Sequence, residues 1–349
     1  MEGLRGVAVT LVFGVHFATL AQPWIGTAWE KGLLGVMHTV GHAGVDLFFV
    51  LSGFLIYGHL LRRKQRFGAY LWRRVQRIYP VFLAVFALYL FLSWQMPGRS
   101  KLPSDGSLWL YLLANLALLP GLFPIEPLIT VAWSLSYEMF FYLAMPLAMA
   151  AVHLRDRSRE VRTLGLAMSL IAAFVAFGVV GGPVRLTMFL FGALLAEILP
   201  MTKGLGSAVG ALAGLAGLAV MVVPVSGPHG LSWKYASLGV CIFVLCHAAL
   251  SVRAPLLSAA LCFWPLRWLG NMSYSYYLLH GLALHVFFLA VGDRLLSTHG
   301  FPGAVVILLV PAFIWTLIPA AALFLAVERP LSLATKPRRT STATARVSS

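Results

Sequence analysis

Leu108-Trp109-Leu110-Tyr111-Leu112-Leu113-Ala114-Asn115-Leu116-Ala117-Leu118-Leu119-Pro120-Gly121 decides how this chain is threaded. The run is apolar enough for a bilayer, yet it is closed by Pro-Gly long before the ~20 residues that a helix needs to cross ~30 Å of hydrocarbon. Whether it crosses fixes the side on which every later loop lies. Its surroundings are those of a membrane protein: the 349 residues are 60% hydrophobic and 11% charged, with a mean hydropathy of +0.87. An ordinary soluble domain is ~25% charged. Ten further apolar stretches reach or approach spanning length, at 6–22, 39–61, 78–96, 131–151, 163–180, 185–200, 206–224, 235–252, 272–291 and 303–327. The first lacks a convincing small-residue cleavage site and contains His16, so it reads as a retained span and not as a leader.

Charge settles the parity. With Leu108 to Leu119 not crossing and the amino terminus cytoplasmic, the cytoplasmic side receives Arg5, the basic clusters Arg62–Arg77 and Arg155–Arg162, Lys203, Arg253, Arg267 and the tail. That places 20 of the 26 Lys and Arg inside, whereas a crossing would leave 11 inside and 15 outside. The positive-inside rule selects the first arrangement. The sequence therefore predicts an all-α, polytopic bundle of about ten transmembrane helices with one re-entrant or interfacial segment and both termini cytoplasmic. It predicts a transmembrane domain over 1–330 and a disordered cytoplasmic tail over 331–349, which is polar and rich in Ser, Thr and Arg. The net charge of +15 sits in short loops between apolar runs, which argues for membrane lipid and against nucleic acid as the partner. The three cysteines, Cys241, Cys246 and Cys262, show no metal-ligand spacing and read as small hydrophobes.

Chemistry must then come from ionisable groups inside the bundle, which are costly there and mark functional sites by default. Arg5 and His16 are eleven residues apart, within ~20° of the same helix face and ~16 Å apart along the axis. The predicted threading puts His16 near mid-membrane, Asp46 and Glu138 five to seven residues inside the outer surface, and His280 about eight residues from the inner surface. Each is a candidate proton carrier or orienting group, the plainer alternative being a hydrogen bond that glues helices together. Arg74 and Arg77 are three apart and share a helix face, so they can clamp an anion; a basic loop resting on anionic lipid explains the charges but not the spacing. His38 and His42, four apart, raise a metal site that no dependable ligand set completes. Ser52 and Ser134 lack the Gly-x-Ser-x-Gly elbow of a serine nucleophile.

Several stretches together carry a family resemblance. Glu2-Gly3-Leu4-Arg5-Gly6 with His16, and Gly44-Val45-Asp46-Leu47-Phe48-Phe49-Val50-Leu51-Ser52-Gly53-Phe54-Leu55-Ile56, resemble two blocks of the membrane acyltransferase 3 family. Arg74 and Arg77 are similar to its RxxR motif, and Trp133-Ser134-Leu135-Ser136-Tyr137-Glu138 with Phe141-Tyr142 to its WSLxxE block. Leu269-Gly270, Ser273-Tyr274, Tyr277-Leu278, His280 and Glu328-Arg329-Pro330 complete the series in order. The resemblance implies a ten-helix enzyme of a bacterial inner membrane. It would transfer an acyl group, usually acetyl, from cytoplasmic acyl-CoA to a hydroxyl of an extracytoplasmic carbohydrate, glycolipid or macrolide.

Under that resemblance Arg5, Arg74 and Arg77 would hold the coenzyme A phosphates, since guanidinium forks suit phosphate. His16 would act as general base, or be acylated in passing, with Asp46 or Glu138 orienting it and His280 as a further catalytic candidate. Trp133 and Ser134, inside a matched block, are the candidate substrate contacts, and no metal is expected. A proton-coupled secondary transporter also buries His, Asp and Glu among helices, but it needs no arginine pair at the cytoplasmic mouth and no coenzyme A.

Overall fold

In a bilayer the backbone has no water to pair with, so an apolar run folds as a helix that satisfies its own N–H and C=O groups. The computed structural model describes residues 1–103, 106–296 and 303–333, and among these it contains no β-strand. The helices are α1 (Glu2–Ala21), α2 (Ala28–Gly41), α3 (Ala43–Arg62), α4 (Phe67–Gln95), α5 (Leu108–Leu116), α6 (Trp133–Ala151) and α7 (Arg159–Val180). They continue with α8 (Thr187–Ile198), α9 (Ser207–Val222), α10 (Gly227–Ala249), α11 (Pro255–Leu261), α12 (Trp264–Asn271), α13 (Ser273–Phe287) and α14 (Leu309–Leu323). Eight stretches are long and apolar enough to cross a membrane. The 19-residue α6 and the 16-residue α9 stand beside them, in line with the ten spans read from sequence. The predicted tail from 334 onward lies outside the described residues.

The deciding stretch forms only the nine-residue α5, about 13 Å long at ~1.5 Å per residue, and then turns back. Leu118 takes a left-handed conformation at φ 55°, and Gly121 does so at φ 94°. The Tyr79 hydroxyl of α4 donates to the Leu116 carbonyl at 3.0 Å. Tyr79 lies ~24 Å along α4 from its end at Gln95, so the segment dips deep into the bundle. Its two ends meet again, Lys101 pairing with Glu126 at 3.2 Å and reaching the Thr130 hydroxyl at 3.2 Å. Asn115 pins the returning strand of chain, accepting from Leu128 N at 2.8 Å. This is a re-entrant element, as the charge count requires.

One helix was not legible in the sequence. The apolar stretch beginning at 39 is preceded by α2, which starts in a capping box: the Thr27 hydroxyl accepts from Glu30 N, while the Glu30 carboxylate accepts from Thr27 N at 2.9 Å. The same carboxylate accepts from Gly303 N at 2.9 Å, tying α2 to the approach to α14. In the bundle itself, α3 and α8 approach most closely through Gly53 and Gly192. A methyl group on Gly53 would land on the Phe189 carbonyl, and one on Gly192 on the Val50 carbonyl. Small residues at such a crossing let two backbones touch, which is how helices associate where lipid offers no hydrophobic drive.

Candidate active site

At the end that carries the basic loops, α1, α3, α4, α6 and α13 surround a cavity of about 180 Å³. Arg5, Arg77, Glu138 and Glu328 line it, with Ser52, Tyr142 and Tyr274. The two cations face two carboxylates, so the cavity is close to neutral as a whole. Glu138 holds its place by accepting from the Tyr142 hydroxyl at 2.6 Å and the Ser52 hydroxyl at 3.0 Å, both on Oε1. Glu328 accepts from Ser275 N at 3.0 Å and the Ser275 hydroxyl at 2.5 Å.

A second cavity, about 470 Å³, lies toward the far end and includes His16, Tyr89, Arg99, Lys101 and His285 among mostly apolar walls. The boundary between the two is short. Ser134 and Tyr277 line the basic-end cavity, whereas Val131 and Leu278, one turn and one residue away, line the far one. Three polar atoms close this boundary: the Ser134 and Tyr277 hydroxyls are 2.8 Å apart, and they lie 3.0 and 3.2 Å from the Val131 carbonyl. Two hydroxyl protons serve three contacts, so one contact is always made at another's expense and either hydroxyl can turn toward a guest.

The His16 ring stands perpendicular to that of His280 with centroids 4.8 Å apart, bringing together two candidates that the sequence left on separate spans. His280 Nδ1 lies 3.0 and 2.8 Å from the Tyr276 and Tyr277 carbonyls. A carbonyl only accepts, so Nδ1 carries the proton and the buried Nε2, which has no partner among the described residues, keeps its lone pair. Neither expected orienting acid bonds to His16. Asp46 is fully buried 3.7 Å from Arg185, whose guanidinium lies over the Trp133 and Tyr235 rings and donates to the Tyr235 hydroxyl at 2.9 Å. Glu138 lines the basic-end cavity with Arg5 and Arg77.

Arg5 and Arg77 share the first cavity, but Arg74 does not line it; its guanidinium lies over Tyr70 and Tyr142, 5.2 Å from each ring centroid. Trp133 stacks edge-on against Phe49 and Tyr137, beneath Arg185. His38 and His42 meet edge to face with ring centroids 4.9 Å apart, and no group of three potential ligands for a metal occurs among the described residues.

A family model described as an acyltransferase domain, Acyl_transf_3, matches residues 1–324. The chain belongs to the acyltransferase 3 family. Among the relatives, the exopolysaccharide production protein ExoZ of Rhizobium meliloti is 30% identical over 321 residues, covering 86% of this chain and 92% of ExoZ. Acyltransferase MdmB of Streptomyces mycarofaciens is 35% identical over 183 residues, 50% of this chain and 44% of MdmB. Peptidoglycan O-acetyltransferase OatA of Listeria monocytogenes is 27% identical over 317 residues, 80% of this chain and 48% of OatA. The chain thus spans about half the length of MdmB and OatA and nearly all of ExoZ. No solved structure matches. Helices long and apolar enough to cross a membrane thus carry the acyltransferase domain.

The basic-end cavity is also lined by residues that the sequence did not single out for a role. Tyr142, Tyr277, Ser52 and Glu328 stood in matched motifs without a role. Arg185 carried a signal of its own: it is a cation at the far-side mouth of a span, where the positive-inside rule disfavours one.

Proposed function

We propose that this acyltransferase moves an acetyl group from acyl-CoA, bound at the basic end, to a hydroxyl of an acceptor in the far cavity, with His16 as general base. Arg5 and Arg77 meet the donor's phosphates at the cytoplasmic mouth of a bacterial inner membrane. The cavity there is narrow, so the pantetheine arm enters and the nucleotide stays outside. The thioester carbonyl reaches the Tyr277–Ser134 boundary. His16 takes the proton of the acceptor hydroxyl as its oxygen attacks the carbonyl carbon; the C–S bond breaks, and the imidazolium returns the proton to the departing thiolate. A neutral imidazole suits both steps. His280, its Nε2 free to accept, sits beside His16 as a second imidazole.

The observation that carries this reading is the division of labour between the cavities: two arginines in one, His16 in the other, and a boundary one turn thick between them. The neighbours' printed names point to carbohydrate and other envelope acceptors, and a hydroxyl on a carbohydrate, glycolipid or macrolide fits the chemistry. The test is purified protein in liposomes supplied with labelled acetyl-CoA and a hydroxyl acceptor. His16→Ala should cut acceptor-dependent transfer by ~10²–10⁴-fold while leaving coenzyme A binding intact. Transfer that persists in that variant refutes His16 as base, and label retained on His16 after acid quenching would replace the general base with an acyl-histidine.

A further inference from the structure

We infer that Arg74 and Arg77 have separate jobs: Arg77 meets the donor's phosphates, whereas Arg74 is a positioning residue that fixes Glu138 through Tyr142 and touches no part of the donor. The inference rests on the acyl-CoA reading above and divides its arginines. The two lie one turn apart on α4, and only Arg77 reaches the cavity wall. The Arg74 guanidinium lies over two rings, Tyr70 and Tyr142, each with its centroid 5.2 Å from Cζ. Its Nε is buried with no hydrogen-bond partner among the described residues. A phosphate ligand presents the edge of the guanidinium fork to its anion, where five N–H groups point outward. Here the group sits as a cation over two aromatic rings.

What Arg74 holds is the Tyr142 ring, which is fully buried and ends in a hydroxyl donating to Glu138 Oε1. Ser52 donates to that same oxygen. Both protein donors therefore fall on Oε1, leaving Oε2 for the cavity, where it can accept from an amide N–H of the pantetheine arm. Removing Arg74 frees the Tyr142 ring to shift, and Glu138 swings with it. The expected consequence is a thioester held in the wrong place, not a donor held weakly.

The distinguishing reagent is S-acetylpantetheine, which keeps the thioester and the amide arm but has none of the phosphates. Arg77→Gln should lower kcat/KM for acetyl-CoA ~10–100-fold and lower turnover of S-acetylpantetheine far less. Arg74→Gln should lower kcat by a similar factor with both donors. Tyr142→Phe should reproduce Arg74→Gln, the double variant should be no worse than either single one, and Arg74→Lys should recover most activity because an ammonium keeps a cation over the rings. Competition by adenosine 3′,5′-bisphosphate, which carries phosphates without the arm, reads the same contrast at equilibrium: weakened in Arg77→Gln, unchanged in Arg74→Gln. This binding arm serves if the shorter donor turns over too slowly to follow, and Tyr142→Phe with Arg74→Lys serves if Arg74→Gln does not fold.

An Arg74→Gln penalty that vanishes with S-acetylpantetheine, penalties that multiply in the double variant, or an Arg74→Lys protein as inactive as Arg74→Gln would each overturn the assignment. If the wild-type protein neither binds nor turns over acetyl-CoA, the donor reading falls and this inference with it. If it turns over acetyl-CoA but Arg77→Gln affects both donors alike, acyl transfer stands and only the division between the arginines is lost.

Discussion

Glu328 joins stability to donor binding and gives the sharpest test of the cavity's electrostatics. It belongs to a π-helical turn, Phe324–Ser332, that continues α14, and only 4% of its surface is exposed. Ser275 is the third residue of α13, so its N–H is one of the first-turn donors that no intrahelical carbonyl can satisfy. Glu328 supplies the missing acceptor from another helix, takes the Ser275 hydroxyl as well, and places an anion at the positive end of the helix dipole. A hydrogen bond to a charged group contributes ~1.5–3 kcal/mol, and a buried donor left unpaired costs ~1–3 kcal/mol. Against this stands the desolvation cost of a buried carboxylate, which Glu328→Ala relieves. The balance for Glu328→Ala is a loss of about 3 kcal/mol, or ~6–12 °C in Tm at ~2–4 °C per kcal/mol. Glu328→Gln keeps an acceptor oxygen in place and loses only the charge, about 1 kcal/mol and ~2 °C.

A thiol-reactive dye reads the melt directly, because Cys246 is free and fully buried and becomes labelled on unfolding, while the exposed Cys262 sets the starting signal. The same two variants should diverge in donor affinity. Glu328→Gln leaves Arg5 and Arg77 facing one carboxylate instead of two, so the KM for acetyl-CoA should fall several-fold at low salt and return toward the wild-type value as salt screens the field. Equal melting of Glu328→Ala and wild type, or a Gln variant as unstable as the Ala variant, would refute the capping argument. A KM that rises in Glu328→Gln would refute the charge balance.

Three other outcomes follow from the geometry. Gly53→Ala drives a methyl into the Phe189 carbonyl and should cost ~1–3 kcal/mol, read as a lowered Tm in the dye assay, whereas Gly68→Ala, with open space around it, should be neutral. Tyr277→Phe removes one of the two hydroxyls that close the boundary, so acetyl-CoA hydrolysis without acceptor should rise several-fold; an unchanged leak would mean that the boundary is sealed elsewhere. Asp46→Asn leaves the Arg185 cation without its carboxylate and should cost ~3 kcal/mol, while Asp46→Asn with Arg185→Gln recovers part of that loss in a double-mutant cycle; strict additivity would show that the 3.7 Å pair is not coupled.

Sequence captured what composition and covalent geometry control. The spans follow from apolar length, and the re-entrant segment follows from charge parity because Leu108–Leu119 is too short to cross and closes on itself at Lys101 and Glu126. Pairings that depend on packing between helices were not available. No periodicity places Tyr142 against Arg74, since the two are 68 residues apart and on different helices. Tyr70 was nearer to hand: it lies four residues before Arg74 on α4, the spacing at which side chains on one helix meet.

The relation between Arg5 and His16 shows what a helix fixes and what it leaves to its neighbours. Their separation of ~16 Å is set by eleven residues of unbroken α1 and needs no packing to maintain it. Which cavity each enters is decided by α6 and α13, because Ser134, Tyr277 and Val131 draw the boundary between them. Arg5 therefore faces the basic-end cavity and His16 the far one from a single rigid rod. In the proposed reaction a donor anchored at the first carries its thioester to the boundary and meets a hydroxyl beside the second, so the rod sets the distance and the hydroxyl pair marks where the two substrates meet.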